Sequence, residues 1–231
     1  MTTLAQLADR CQNTLSDAGA GTWSQALVEE WVVDGIRDYS QRFPRTRNYS
    51  ITFSGSDLGH VFDLTSDLIA VQLVEFPGDQ DPPEYCKRKS RTDPDFWTQD
   101  GYYDVQALHD QTEYSQLYLS QEPVDGQKLY LSVTCYHDVT LVSGDDLTIP
   151  LSHEYIVELF VLWQAFKERL SAEEQDPDTS LAGNVTFLQQ LVKGAKQAEE
   201  EYRRALKRAE DTRSESAVTG PWAADRHDRI Y

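Results

Sequence analysis

The chain is poor in cysteine and in positive charge, and it has no long apolar run. Its three cysteines, Cys11, Cys86 and Cys135, are odd in number and far apart, which excludes a disulfide framework and a zinc ligand set and leads us to expect a reducing cytoplasm. Lys and Arg number 21 against 39 Asp and Glu, for a formal charge of −18, the wrong sign for a surface that neutralises phosphates. Specific DNA or RNA binding is therefore not expected. No apolar stretch reaches the roughly 18 to 20 residues of a membrane span, and Met1 to Asp9 lacks a basic stretch followed by an apolar one, so a soluble protein without a signal peptide is expected. Gly19, Gly21, Gly55 and Gly59 form neither a phosphate loop nor a dinucleotide fingerprint, and no two of His60, His109, His137, His153 and His227 stand at metal-ligand spacing. No cofactor or metal is expected.

What is present is enough apolar and aromatic mass, 39% and 11%, to bury a core. The five Trp and twelve Tyr also include residue types favoured where protein surfaces meet. Leu4, Leu7, Ala8, Cys11 and Leu15 recur at helical steps and form one stripe. Thr22-Trp-Ser-Gln25 has the form of a capping box, and it opens a second helix carrying Leu27, Val28, Trp31, Val32, Ile36, Tyr39 and Phe43. That apolar surface is broad enough for two packing partners, and Pro44 stops the helix.

From Asn48 the period becomes two, with Tyr49, Ile51 and Phe53 alternating with polar residues as a half-buried strand requires. Val61 to Leu64, Leu68 to Phe76, Glu84 to Lys87, Gln116 to Leu119 and Leu129 to Tyr136 read as further strands. Antiparallel pairing is expected because no crossover helix fits between them, and Val124-Asp-Gly-Gln127 suggests a tight hairpin. After Ile149-Pro150 the helical period returns through Tyr155, Ile156, Leu159, Phe160, Trp163, Phe166 and Leu170, with Ser152 as cap and Glu154 at the positive end of the dipole. Asp176-Pro177 opens a last helix, whose exposed face pairs Glu199 with Arg203 and Glu200 with Arg204. The fold class expected is α+β: a four-helix frame interrupted by an antiparallel β-rich insert, with an extended C-terminal tail. Its parts are an N-terminal helical hairpin (1–45), the insert (46–148), a C-terminal hairpin packed on the first (149–211) and the tail (212–231).

Little in the residues marks chemistry. His137 next to Asp138 is accounted for as a polar strand-end pair, since a triad needs geometry. The unbalanced basic run Lys87-Arg-Lys-Ser-Arg91 suits an acidic neighbour surface or a phosphate, or else an exposed hairpin. In the tail, Gly220, Pro221, Trp222, Ile230 and Tyr231 suggest docking on another surface. Three classes compete: an interaction protein closing into a ring through unlike surfaces; a carbohydrate-type binding module with Trp97, Tyr102 and Tyr103 as an aromatic platform; and a hydrolase, for which no nucleophile is marked.

The order helix, helix, β insert, Ile-Pro, long helix, long helix and polar tail resembles the head-to-tail adaptor, or connector, proteins of tailed bacteriophages. The resemblance rests on Asp34-Gly-Ile-Arg-Asp-Tyr-Ser-Gln-Arg-Phe-Pro44, on Val61-Phe-Asp-Leu-Thr-Ser-Asp67 before a strand, on Thr92-Asp-Pro-Asp-Phe-Trp97 with Tyr102-Tyr-Asp104, and on Leu147-Thr-Ile-Pro-Leu-Ser-His-Glu154 running into an apolar helix. It implies a structural virion protein rather than an enzyme, made in the host cytoplasm and placed at the neck. It further implies a homo-oligomeric ring, commonly of twelve subunits, that joins the portal to a downstream tail component such as a nozzle or tail terminator, with DNA passing through its channel unbound. By the same resemblance the tail, with Gly220, Pro221, Trp222, Arg226, Arg229, Ile230 and Tyr231, would dock on the portal. Trp31, Lys87, Arg88, Lys89, Arg91 and Trp97 are the candidates for subunit or partner contacts.

Overall fold

The structure is a computed structural model and describes residues 2–17, 23–55, 59–64, 67–107, 115–139, 146–175 and 181–219. Its contacts divide the chain into two compact units, Met1–Tyr39 with Val139–Tyr231, and Ser40–Asp138. Among the described residues the fold is α+β, with four helices and mostly antiparallel sheets.

Unit 1 is helical. Helix α1, Leu4–Asp17, buries Leu4, Leu7, Ala8, Cys11 and Leu15, the stripe its sequence prescribes. Helix α2 is Gln25–Arg42 and buries Val28, Trp31, Val32, Ile36 and Tyr39. The capping box expected at its start rests on Thr22 and Gln25. Thr22 lies outside the described residues, and the Leu27 backbone N–H donates to Ser24 Oγ at 3.4 Å, while the Gln25 amide is spent on Asp9 and Glu29. A 3₁₀ turn, Leu151–His153, precedes α3, Glu154–Gln175. Ser152 therefore sits inside that turn instead of capping the helix. Helix α4 is Leu181–Thr219 and runs past Asp211, where the apolar period of the sequence ends.

Contacts at three- and four-residue steps join these helices. The Phe160 and Trp163 rings of α3 lie 5.5 and 6.1 Å from the ring of Tyr202 on α4. The Tyr202 hydroxyl donates to Asp38 on α2. Gly35 lets α2 approach α3 so closely that a Cβ there would stand 2.9 Å from Phe160 Cδ1. Arg10 on α1 grips the buried Glu154 and also reaches Glu158 at 3.3 Å. Burial, the larger influence, raises the Glu158 pKa against the pull of Arg10.

Unit 2 is a pair of sheets. One has the order β1-β7-β3, from Arg45–Thr52, Lys128–Cys135 and Leu68–Glu75. The other has the order β2-β6-β5-β4, from Val61–Asp63, Ser115–Leu119, Tyr102–Ala107 and Lys87–Arg88. Their inner faces share a core that includes Phe53, Val74, Phe76, Leu117, Leu129 and Leu131. Strand β7 alternates half-buried and buried residues along its whole length, as a central strand with one covered face must.

Four expectations for this unit need correction. Strand β1 begins at Arg45, ahead of Asn48. Tyr102–Ala107 is a strand that the sequence does not announce, because Asp104 and Ala107 lower its β propensity. Its pairing with β4 is parallel, the exception among antiparallel ladders. Val124–Gln127 is a turn, with Gln127 N–H bonded to the Val124 carbonyl at 3.0 Å and Gly126 at φ +82°, but β6 and β7 on either side of it belong to different sheets. The turn instead lengthens the β1–β7 ladder, through Phe53 N–H to the Gln127 carbonyl at 2.9 Å.

Candidate functional site

The basic run begins at the sheet edge, where Lys87 and Arg88 form β4. The chain then folds down over the outer face of the second sheet. Lys89 Nζ lies 3.4 Å from Asp93 and 3.3 Å from Asp95 and 4.8 Å from the centre of the Tyr102 ring. Burial pulls its pKa down, yet its bonds to Asp95 and Asp93 together outweigh that and leave it raised. The Arg91 guanidinium lies 4.4 Å over the Tyr118 ring, and its backbone N–H donates to Asp104 Oδ2 at 3.0 Å. Two of the four cations are thus committed locally, by ion pairs and by stacking on aromatic faces. Lys87 and Arg88 are exposed and make no ion pair among the described residues.

The same segment presents Trp97. Its neighbour Phe96 is fully buried, whereas Trp97 is 48% exposed, held by Nε1–H donating to the Arg91 carbonyl at 3.1 Å and by edge contacts with Phe96 and His60. Trp31 differs: it is 6% exposed, with its ring 5.1 Å from that of Trp23, so it offers unit 1 packing area and no open ring. The aromatic platform of the carbohydrate reading does not form. Tyr102 and Tyr103 are adjacent in β5 and so face opposite sides; Tyr103 is 6% exposed and belongs to the core.

Reaction chemistry finds no foothold in these positions. His137 is buried, with its Nε2 against the Phe43 carbonyl oxygen at 3.0 Å and its backbone N–H on Ser40 Oγ, while Asp138 holds Arg45 at 2.6 and 3.1 Å. These are strand-end anchors. An open groove of about 560 Å³ between α3 and α4 is lined by Phe166, Leu191, Gly194, Gln197 and Ala198 among others, with no histidine, cysteine, serine or threonine among the described residues of its walls. Among the described residues no group of His, Cys, Asp and Glu could hold a metal ion, and no helix is long and apolar enough to cross a membrane. Gly220, Pro221, Trp222, Arg226, Arg229, Ile230 and Tyr231 lie outside the described residues.

The family model described as SU10 adaptor protein matches residues 2–225, nearly the whole of both units. The chain belongs to that family. No curated protein matches it. Membership in the SU10 adaptor family agrees with the resemblance to phage head-to-tail adaptors and makes the chain a structural component of a virion. For an SU10 adaptor the relevant features are surfaces, and sequence reasoning missed the acceptors that silence part of one. Asp93 and Asp95 absorb the Lys89 ammonium, the Tyr118 ring lies under the Arg91 guanidinium, and Asp104 fixes the Arg91 backbone. Asp93 and Asp95 stand close to Lys89 along the chain, but in a turn no spacing rule marks the pair; Asp104 and Tyr118 arrive through the sheet and had no local signal.

Proposed function

We propose that this SU10-family adaptor assembles as a ring, commonly of twelve copies, between the portal and the next tail component, and lines the channel through which DNA leaves the capsid. The observation that carries this reading is the family match over residues 2–225. The charge of −18 supports the channel, since acidic walls repel phosphates and keep DNA from adhering in passage. Residues Gly220 to Tyr231 dock on the portal, and Lys87, Arg88 and Trp97 are contact points for neighbouring subunits or partners.

The test is deletion of residues 220–231 in the assembled protein. Co-sedimentation with portal should be lost while the far-UV circular dichroism stays nearly unchanged, because the deletion removes only 12 of 231 residues. Undiminished portal binding would remove the tail from the account. Rings and monomers are both to be assayed, since repetition of a weak contact around a ring multiplies its effect.

A further inference from the structure

Residues 193–213 of α4 hold seven Lys and Arg against five Asp and Glu, in a chain with 21 against 39. Their placement is ordered. At 3.6 residues per turn, Lys193, Lys196, Arg204 and Lys207 fall within an arc of about 80° and span about 21 Å of helix. All four are exposed, and they lie opposite the buried Leu191, Ala198, Ala205 and Ala209. Arg204 is paired with Glu200 at 2.8 Å. Lys193, Lys196 and Lys207 make no ion pair among the described residues, although carboxylates outnumber cations almost two to one.

The same unit carries the opposite charge elsewhere. Gln25 Nε2 donates to Asp9 Oδ1 at 3.3 Å and to Glu29 Oε1 at 3.2 Å, which draws two carboxylates together at the start of α2. Glu30 and Asp34 continue the patch on the exposed side of α2. Among the described residues, Arg37, 3.5 Å from Asp34, is the one cation paired with it. Two strongly anionic copies repel unless a cationic surface faces an acidic one, and a rotational ring needs two unlike surfaces on every copy.

We infer that the Lys193–Lys207 ridge of α4 docks on the Asp9–Asp34 patch of a second copy of this chain, setting the head-to-tail order of subunits. The inference rests on the ring reading above and names its contact. Complementary potentials select this approach and penalise the two like-charged ones.

The test measures self-association of the full chain by analytical ultracentrifugation, with circular dichroism as the check on folding. K193E/K196E/K207E should weaken association at least about tenfold, E30K/D34K should do likewise, and the chain carrying all five changes should recover most of the loss. Raising salt from about 0.05 to about 0.5 M should weaken the wild type and leave the triple variant little changed. Reversed chains that associate like the wild type would overturn the contact and leave the ring reading standing. A wild type that never associates would remove the ring reading itself. A triple variant that keeps self-association but loses portal binding would assign the ridge to the portal and overturn the inference.

Discussion

Arg45 Nη1 and Nη2 hold the two oxygens of Asp138 at 2.6 and 3.1 Å, a parallel pair of bonds that joins the first residue of β1 to the last residue of unit 2. The ends of the insert are therefore tied by one guanidinium as well as by the β1–β7 ladder, in which Arg45 faces Cys135.

A fork of this kind cannot be reproduced by an ammonium group. Arg45→Lys should cost about 1 kcal/mol and Arg45→Ala about 1.5–3 kcal/mol, as for hydrogen bonds to charged groups. Urea unfolding followed by tryptophan fluorescence would check it, with an unchanged slope showing that the denatured chain is not altered.

The Tyr39 hydroxyl and His153 Nδ1 share a hydrogen bond at 2.6 Å, and burial pushes the tyrosine pKa up to about 12. Burial also holds His153 below its ordinary 6.5. Between that lowered value and 6.5 the unfolded chain binds the proton more readily than the folded one, so the stability from neutral His153 is whole above 6.5 and lost as pH falls through the folded value. Melting temperatures at about pH 7.5 and about pH 5.5 should differ more for the wild type than for His153→Asn, which keeps an acceptor and does not titrate. Equal differences would show that His153 does not carry the effect.

At Gly35 two effects oppose each other. Alanine gains about 1 kcal/mol of helical propensity, but its Cβ would meet Phe160 Cδ1 at 2.9 Å and Val157 Cγ1 at 3.1 Å, and overpacking costs about 1–3 kcal/mol. The prediction for Gly35→Ala is a net loss near 1 kcal/mol, read from thermal melts. A gain would show that the Phe160 ring yields.

Phe96 and Trp97 are neighbours with opposite fates. Phe96→Ala should destabilise by about 3–5 kcal/mol, as for a buried ring. Trp97→Ala should cost less than about 1 kcal/mol, since its ring is half in solvent and its one bond is to a backbone carbonyl. Binding measured on the folded Trp97 variant then separates a contact role from a packing role, because folding is little disturbed.

Much of the architecture was legible because it is local. The α1 stripe, the stop of α2 before Pro44, the alternation through Tyr49, Ile51 and Phe53 and the Glu199–Arg203 and Glu200–Arg204 pairs all follow from spacings of two, three or four residues. The candidate contact residues were legible only as a list. Lys87 to Arg91 looked uniform, yet Lys89 and Arg91 are absorbed while Lys87 and Arg88 stay open. Trp31 and Trp97 looked alike, yet one is core and the other exposed.

By itself the sequence determined the α+β class, helices before and after a β-rich stretch and the acidic balance, since propensity, period and net charge are properties of the chain. Tertiary structure alone decided that β6 and β7 part into different sheets, that β4 runs parallel to β5 and that Tyr118 lies under Arg91. Each of these depends on segments brought together across long separations, and which surfaces meet is a question of relative burial energy that no local spacing encodes.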